Sequence, residues 1–138
     1  SKEDLVSLAV KIVKIIPCTC QKNKRMSKTN EVILKVVMDD ENIPAEIYWK
    51  AENQQQDWEK CKAFLLSLFE EKTKGTLKLD LWTKDFQLEE MNQFMYYTLF
   101  SLCETYMKAT QNQDMANQFM SFVNYFGEEN EVIERKVS

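Results

Sequence analysis

Residues 77–85 read Leu77-Lys78-Leu79-Asp80-Leu81-Trp82-Thr83-Lys84-Asp85 and mark the point where the chain changes from one kind of structure to another. Before this stretch, apolar residues alternate with polar ones, which is typical of half-buried β-strands. After it, apolar residues recur every three or four positions, which is typical of amphipathic helices. The junction therefore separates a β-rich part of the chain from a helical part.

Four strands are predicted in the β-rich part, over residues 31–39, 45–51, 62–70 and 76–83. Residues 62–70 fit a helical stripe as well as a strand face. The strand is favoured because the polar residues 71–75 can close a hairpin in which Gly75 supplies a positive φ. In the last strand Leu77, Leu79 and Leu81 share the face predicted to pack on the helices, and Trp82 lies on the opposite face.

Two helices are predicted after the junction, with Asp85 as the N-cap of the first. The second helix is expected to end near Gly127. The order of elements predicts an α+β fold with a four-stranded antiparallel sheet followed by two C-terminal helices packed on one face, a topology similar to that of the export chaperone SecB. The residues predicted to form the apolar stripes of the two helices are Leu88, Met91, Met95, Leu99, Leu102 and Tyr106, then Met115, Phe119, Phe122, Val123 and Phe126.

The first 25 residues differ from the rest in charge. They hold six Lys/Arg and two Asp/Glu, a net of +4, and the remaining 113 residues carry 12 and 20, a net of −8. Residues 5–16 have helical apolar spacing, which indicates a basic amphipathic helix. Met26-Ser27-Lys28-Thr29 is typical of a protein start. The predicted division is an N-terminal appendage at 1–25, one α+β domain at 26–127 and a charged tail at 128–138.

Composition argues against several classes of function. The chain has no histidine, so it lacks the commonest general base and the commonest zinc ligand. Its net charge of −4 disfavours duplex nucleic acid as a partner. No apolar run is long enough to cross a membrane, and the four cysteines form no CxxC pair, which is typical of free thiols in a reducing cytoplasm. We therefore predict a cytoplasmic protein that is not an enzyme and holds no cofactor or metal.

One predicted surface remains as a candidate site. The sheet face opposite the leucines carries Ile33, Val37, Tyr48 and Trp82, joined either by Leu65 and Phe69 or by Phe64 and Leu66. Such a face is too apolar for plain solvent exposure, which indicates a contact with a partner protein or a second copy of the chain.

The alternative is a small-ligand or catalytic site that uses Asp80, Lys84 and Asp85. The structural explanation for the same residues is that Asp85 caps the helix and Asp80 pairs with a lysine such as Lys50. An enzyme would need a concave pocket beside the junction that brings these side chains together.

From Met26 onward, to about residue 128, the sequence resembles the GldC family of gliding-motility-associated proteins. The residues that carry the resemblance are Met26-Ser27-Lys28-Thr29, Ile43 to Trp49 with Ala51-Glu52, Thr76 to Asp85 with Glu90-Met91, and Ala109-Thr110-Gln111 with Phe122 and Tyr125-Phe126. The resemblance implies a small accessory protein without catalytic activity or cofactor, associated with the membrane-anchored gliding lipoprotein GldB.

Overall fold

The computed structural model describes residues 7–15, 29–52 and 57–137. The α+β class is confirmed, but the described residues form six strands in two antiparallel sheets rather than four in one. The elements are β1 Ser7–Ile15, β2 Thr29–Met38, β3 Pro44–Ala51, β4 Glu59–Cys61, β5 Ala63–Phe69, β6 Thr76–Trp82, α1 Leu88–Thr110 and α2 Gln113–Glu129. The chain divides into two compact units between Asp85 and Phe86, at the end of the stretch where the sequence pattern changes.

The larger sheet has the strand order β1-β2-β3-β4, and the smaller one is the hairpin β5-β6. The helix predicted over residues 5–16 is wrong, because Ser7–Ile15 is a strand that pairs with β2 from Ser7 opposite Val37 to Ile15 opposite Thr29. The β-branched residues in this segment favour a strand once a neighbouring strand supplies hydrogen bonds. The boundary predicted at residue 25 remains a prediction, although this β-ladder runs across it.

The core of the sheet unit lies on one face of β2 and β3. Leu34, Val36, Ile47 and Phe64 form its buried centre, and Val36 and Ile47 are completely inaccessible. Leu34 and Val36 share a face of β2, as the period-two pattern predicts. Half-buried Met38, Trp49, Cys61, Leu66 and Leu81 surround this centre.

The β5-β6 hairpin confirms the strand predicted for residues 62–70. The loop closes with the Glu70 N–H donating to the Gly75 carbonyl at 2.9 Å and the Lys74 N–H donating to the Glu70 carbonyl at 3.0 Å. The prediction that Gly75 supplies the positive φ is wrong, because Lys74 adopts that conformation with φ 57°. This turn therefore forms without a glycine at the position that has a positive φ.

The N-cap of α1 is Gln87, so the predicted Asp85 cap is wrong. The Glu90 carboxylate accepts the Gln87 N–H at 2.9 Å, which satisfies a donor that the helix itself leaves free. Asp85 instead accepts the Thr83 hydroxyl at 2.5 Å. Asn112 caps α2 by accepting the Met115 N–H at 3.1 Å.

The two helices meet where α2 presents the small residues Ala116 and Gly127 to α1. The Cys103 thiol donates to the Ala116 carbonyl at 3.3 Å, and the Tyr96 ring lies over Gly127. Tyr96 and Cys103 are the buried residues of α1, so the stripe predicted to be its core is not its most buried side. The sequence pattern identified the most apolar side of α1, whereas the side that is buried is the one that lies against α2. No described helix is long and apolar enough to span a bilayer.

Candidate partner-binding surface

Three cross-strand pairs of large apolar residues share one face of the β5-β6 hairpin. The pairs are Phe64 with Leu81, Leu66 with Leu79, and Leu68 with Leu77, and we call these six residues the leucine ladder. They share a face because every second residue of paired strands points to the same side.

Exposure rises along the leucine ladder from its base to its tip. Phe64 at the base is 9% exposed and belongs to the core, whereas Leu68 and Leu77 at the tip are 40% and 51% exposed. Leu79 between them is 37% exposed. Leu77 and Leu79 are therefore exposed at the tip, which carries contiguous apolar side chains, and the packing of this face on the helices stays a prediction.

The opposite face of the hairpin is mixed. It carries Trp82, which is 51% exposed, and Phe69, which is 69% exposed. Between them lie Lys78 and Asp80, joined by an ion pair of 2.7 Å. The prediction that Trp82 lies on the face away from the leucines agrees with this register, since Trp82 pairs with Ala63 and Leu81 pairs with Phe64.

The other predicted contact residues lie in the four-stranded sheet. Ile33 and Val37 alternate with core residues along β2, and Lys35, which lies between them, pairs with Tyr48 of β3. All three predicted residues are half-buried. The structure thus assigns Ile33, Val37 and Tyr48 to one sheet and Trp82 to another.

A polar network surrounds Tyr48. Its hydroxyl donates to the Glu46 carboxylate at 2.8 Å, and the Lys60 ammonium pairs with the same carboxylate at 2.7 Å. The hydrogen bond from Lys60, with that from Tyr48, lowers the pKa of Glu46, and the bond to Glu46 raises the pKa of Tyr48. This part of the predicted face is accordingly more polar than the residue types suggest.

The alternative site near the junction is not assembled. Asp80 pairs with Lys78, so its predicted pairing with Lys50 is wrong, and Lys84 pairs with Asp39 at 3.0 Å. Asp85 lines a depression of about 380 Å³, but neither Asp80 nor Lys84 does. The residues that line the depression are Ala45, Lys60, Cys61, Lys62, Thr83 and Asp85.

Cys61 and Asp85, which line this depression, both have shifted pKa values. Burial raises the pKa of the Cys61 thiol, so it is a poorer nucleophile at neutral pH than an exposed thiol. The hydrogen bond from Thr83 lowers the pKa of Asp85, which therefore stays ionised. Within residues 29–52 and 57–137, no cluster of three acidic or cysteine side chains could hold a metal ion.

Comparison with known protein families gives a match over most of the chain. The family model of gliding motility-associated GldC-like proteins matches residues 44–132. The chain belongs to the GldC-like family. The matched residues run from β3 to just after α2 and include the whole hairpin and both helices, whereas the resemblance at Met26–Thr29 lies outside them. No curated protein and no solved structure matches the chain.

Sequence reasoning did not identify the exposed tip of the leucine ladder. Its residue types resemble those of any buried strand face, and alternation says which residues share a face but not which face is covered. The length of the hairpin was the available signal. Seven-residue strands extend about 20 Å, so their tips reach past a core formed at their base.

Proposed function

We propose that this member of the GldC-like family is a non-catalytic accessory protein of gliding motility that binds a partner protein through the β5-β6 hairpin. The observation that supports this proposal is the exposed tip of the leucine ladder, with Leu68, Leu77 and Leu79 at 37–51% exposure. A surface of contiguous apolar side chains is typical of a protein-binding site. Trp82, at 51% exposure, extends the contact to the second face of the hairpin.

We assign Ile33, Val37 and Tyr48 a secondary part in the same interaction. They are half-buried, and Tyr48 is already engaged with Glu46, so each has less surface to offer than Trp82. Truncating them should weaken binding less than truncating Trp82, because interface energy concentrates in well-exposed aromatic residues that become buried on binding.

The partner we propose is the membrane-anchored gliding lipoprotein GldB, and the place is the cytoplasm. Cys61 and Cys103, the cysteines in the described ranges, are free thiols, which is compatible with a reducing compartment. A cytoplasmic protein meets an exported lipoprotein before export, when apolar segments of the partner are still unfolded. An apolar hairpin suits such a segment, since binding would keep it from aggregating without any chemistry.

The test uses purified wild-type protein, the unfolded precursor of the lipoprotein from the same organism, and a binding titration. The matched variants are Leu77→Ser on the leucine ladder and Lys108→Ser in the last turn of α1, outside the hairpin. We expect the Leu77 change to weaken binding about tenfold, equivalent to about 1.4 kcal/mol, and the Lys108 change to have little effect. Equal binding by wild type and Leu77→Ser would refute the proposal.

A second candidate, a general holdase similar in role to SecB, uses the same exposed surface. A light-scattering assay with an unrelated aggregating protein separates the two functions. A dedicated accessory factor should leave that aggregation unchanged, whereas a general holdase should suppress it and should lose the effect with Leu77→Ser.

A further inference from the structure

The helices α1 and α2 carry an apolar side that their mutual contact does not use. Ten large residues form two rows on it, and we call this surface the apolar helix face. The rows are Leu88, Met91, Met95, Leu99, Leu102 and Tyr106 on α1, and Met115, Phe119, Phe122 and Phe126 on α2.

Both rows fall on the same side of the helix pair. At 3.6 residues per turn, each row lies about 100° around its helix from the contact line marked by Tyr96 and Cys103 on α1 and by Ala116 and Gly127 on α2. The helices are antiparallel, because Tyr96 meets Gly127 and Cys103, further along α1, meets Ala116, earlier in α2. Each row is rotated in the same sense about its own helix axis, and because the two axes are antiparallel, both rows face the same side of the helix pair.

The packing of α1 against α2 leaves this face exposed within the helix unit. Leu88 is 72% exposed, Leu102 and Phe122 are each 51% exposed, and Met115 is 48% exposed. The other six residues of the two rows are half-buried.

The turns that carry the central part of the face have no charge on any side. Residues 91–103 and 115–127 contain no Asp, Glu, Lys or Arg, although charged residues make up 29% of the chain. A solvated helix normally carries charges on its outer side. Depletion of charge with enrichment of Met and aromatic residues is instead the composition of the centre of a protein interface.

We infer that the apolar helix face is covered by the same face of a second copy of this chain, so that two helix pairs form a four-helix bundle. An identical uncharged face is complementary to it in character, whereas a partner with a polar or charged surface would have to desolvate its charges without compensation. The flexible Met and Leu side chains of the α1 row adapt to the gaps of the opposing surface.

The size of the face fits this occupant. It is about 27 Å long on α1 and about 17 Å long on α2, from 1.5 Å of rise per residue, and about 20 Å wide for two adjacent helices. The two copies would therefore bury on the order of 1,000 Å², at which specific interfaces begin.

The charges outside the face select the orientation. Four carboxylates lie at the free ends of the helix pair, on Glu89, Glu90, Glu128 and Glu129; Arg135 pairs with Glu129 at 2.7 Å, which leaves a net negative charge on this group. Two copies running in the same direction would bring eight carboxylates together, whereas opposite directions keep them apart. We therefore place the free ends of one copy beside the connecting loop of the other.

The test is light scattering coupled to size exclusion, over a dilution series of the full chain. The wild type should have twice the 16.4 kDa chain mass at micromolar concentration and dissociate on dilution. Phe122→Glu should raise the dimer dissociation constant at least about a hundredfold, because it buries an unpaired charge. The matched control Ser121→Glu adds the same charge to the next residue of α2, outside the face, and should leave the constant unchanged.

A monomeric wild type, or a dimer unchanged by both Phe122→Glu and Leu102→Glu, would overturn the inference. If circular dichroism shows that the glutamate variants unfold, Phe122→Ala and Leu102→Ala replace them and should weaken the dimer relative to Ser121→Ala; unchanged constants would again overturn it. The dissociation constant should vary little with salt. Strong tightening at high salt would overturn the proposed orientation, because it would indicate screened repulsion between the carboxylates.

Discussion

Gly127 is the position where α2 has no room for a side chain. A Cβ added there would lie 2.6 Å and 2.7 Å from two ring carbons of Tyr96 and 3.0 Å from a side-chain carbon of Ile133. Tyr96 is only 7% exposed, so its ring has little freedom to move aside. Overpacking of this kind costs about 1–3 kcal/mol.

The substitution Gly127→Ala therefore has two opposing effects. Alanine favours a helix over glycine by about 1 kcal/mol. Subtracting this gain from the overpacking cost leaves a net loss in the free energy of unfolding of about 0–2 kcal/mol. When Tyr96 is first replaced by leucine, the ring carbons are gone, and the same substitution should stabilise by up to about 1 kcal/mol.

The assay is urea unfolding monitored by circular dichroism for the wild type, both single variants and the double variant. We expect a coupling of about 1–3 kcal/mol between the two positions, because they are in direct contact. The reasoning would be refuted if Gly127→Ala had the same effect in both backgrounds, since the ring would then not be what excludes the side chain.

Three further predictions concern the sheet unit. Phe64→Ala should lower the free energy of unfolding by about 3–5 kcal/mol and Leu68→Ala by much less, because Phe64 is 9% exposed and Leu68 is 40% exposed. Equal losses for the two variants in urea unfolding would contradict the gradient of burial along the leucine ladder. Hydrogen bonds from the Ile43 N–H and from Lys84 lower the pKa of Asp39 below 3.8. These bonds therefore stabilise the fold above pH 3.8, and their contribution is lost as the pH falls through the lowered pKa. Asp39→Asn should make the free energy of unfolding fall less steeply on the acid side, and an unchanged slope would count against this. The Cys61 thiol, with its raised pKa, should react more slowly with a thiol reagent at pH 7 than in the urea-unfolded chain, and equal rates mapped by mass spectrometry would contradict its burial.

The sequence pattern predicted the type of most elements because period-two and helical spacings are local. The hairpin strand at residues 62–70 was resolved correctly by its polar turn, although Lys74 and not Gly75 adopts the positive φ. Residues 5–16 were misassigned because their apolar residues fit both periods, and only hydrogen bonding to β2 selects the strand. Pairing with a distant strand leaves no pattern in the sequence of the segment itself.

The candidate surface was predictable only in part, for the same reason. The alternation of apolar and polar residues correctly assigned Trp82 and Leu81 to opposite faces of the hairpin. It did not show that the leucine ladder extends beyond the buried core at its base. The four predicted contact residues are also divided between two sheets, because the chain bends at Lys62, which lies between β4 and β5. Strand connectivity of this kind depends on long-range pairing that one sequence does not reveal.

The most direct test of the proposed partner surface is hydrogen–deuterium exchange of the full chain with and without the purified lipoprotein precursor. We predict that binding slows amide exchange in residues 63–82, which comprise β5, β6 and their turn, more than in any other segment. Protection confined to residues 29–51, with none in residues 63–82, would contradict the account, because it would assign the contact to the face of Ile33, Val37 and Tyr48 and leave the leucine ladder without a role in binding.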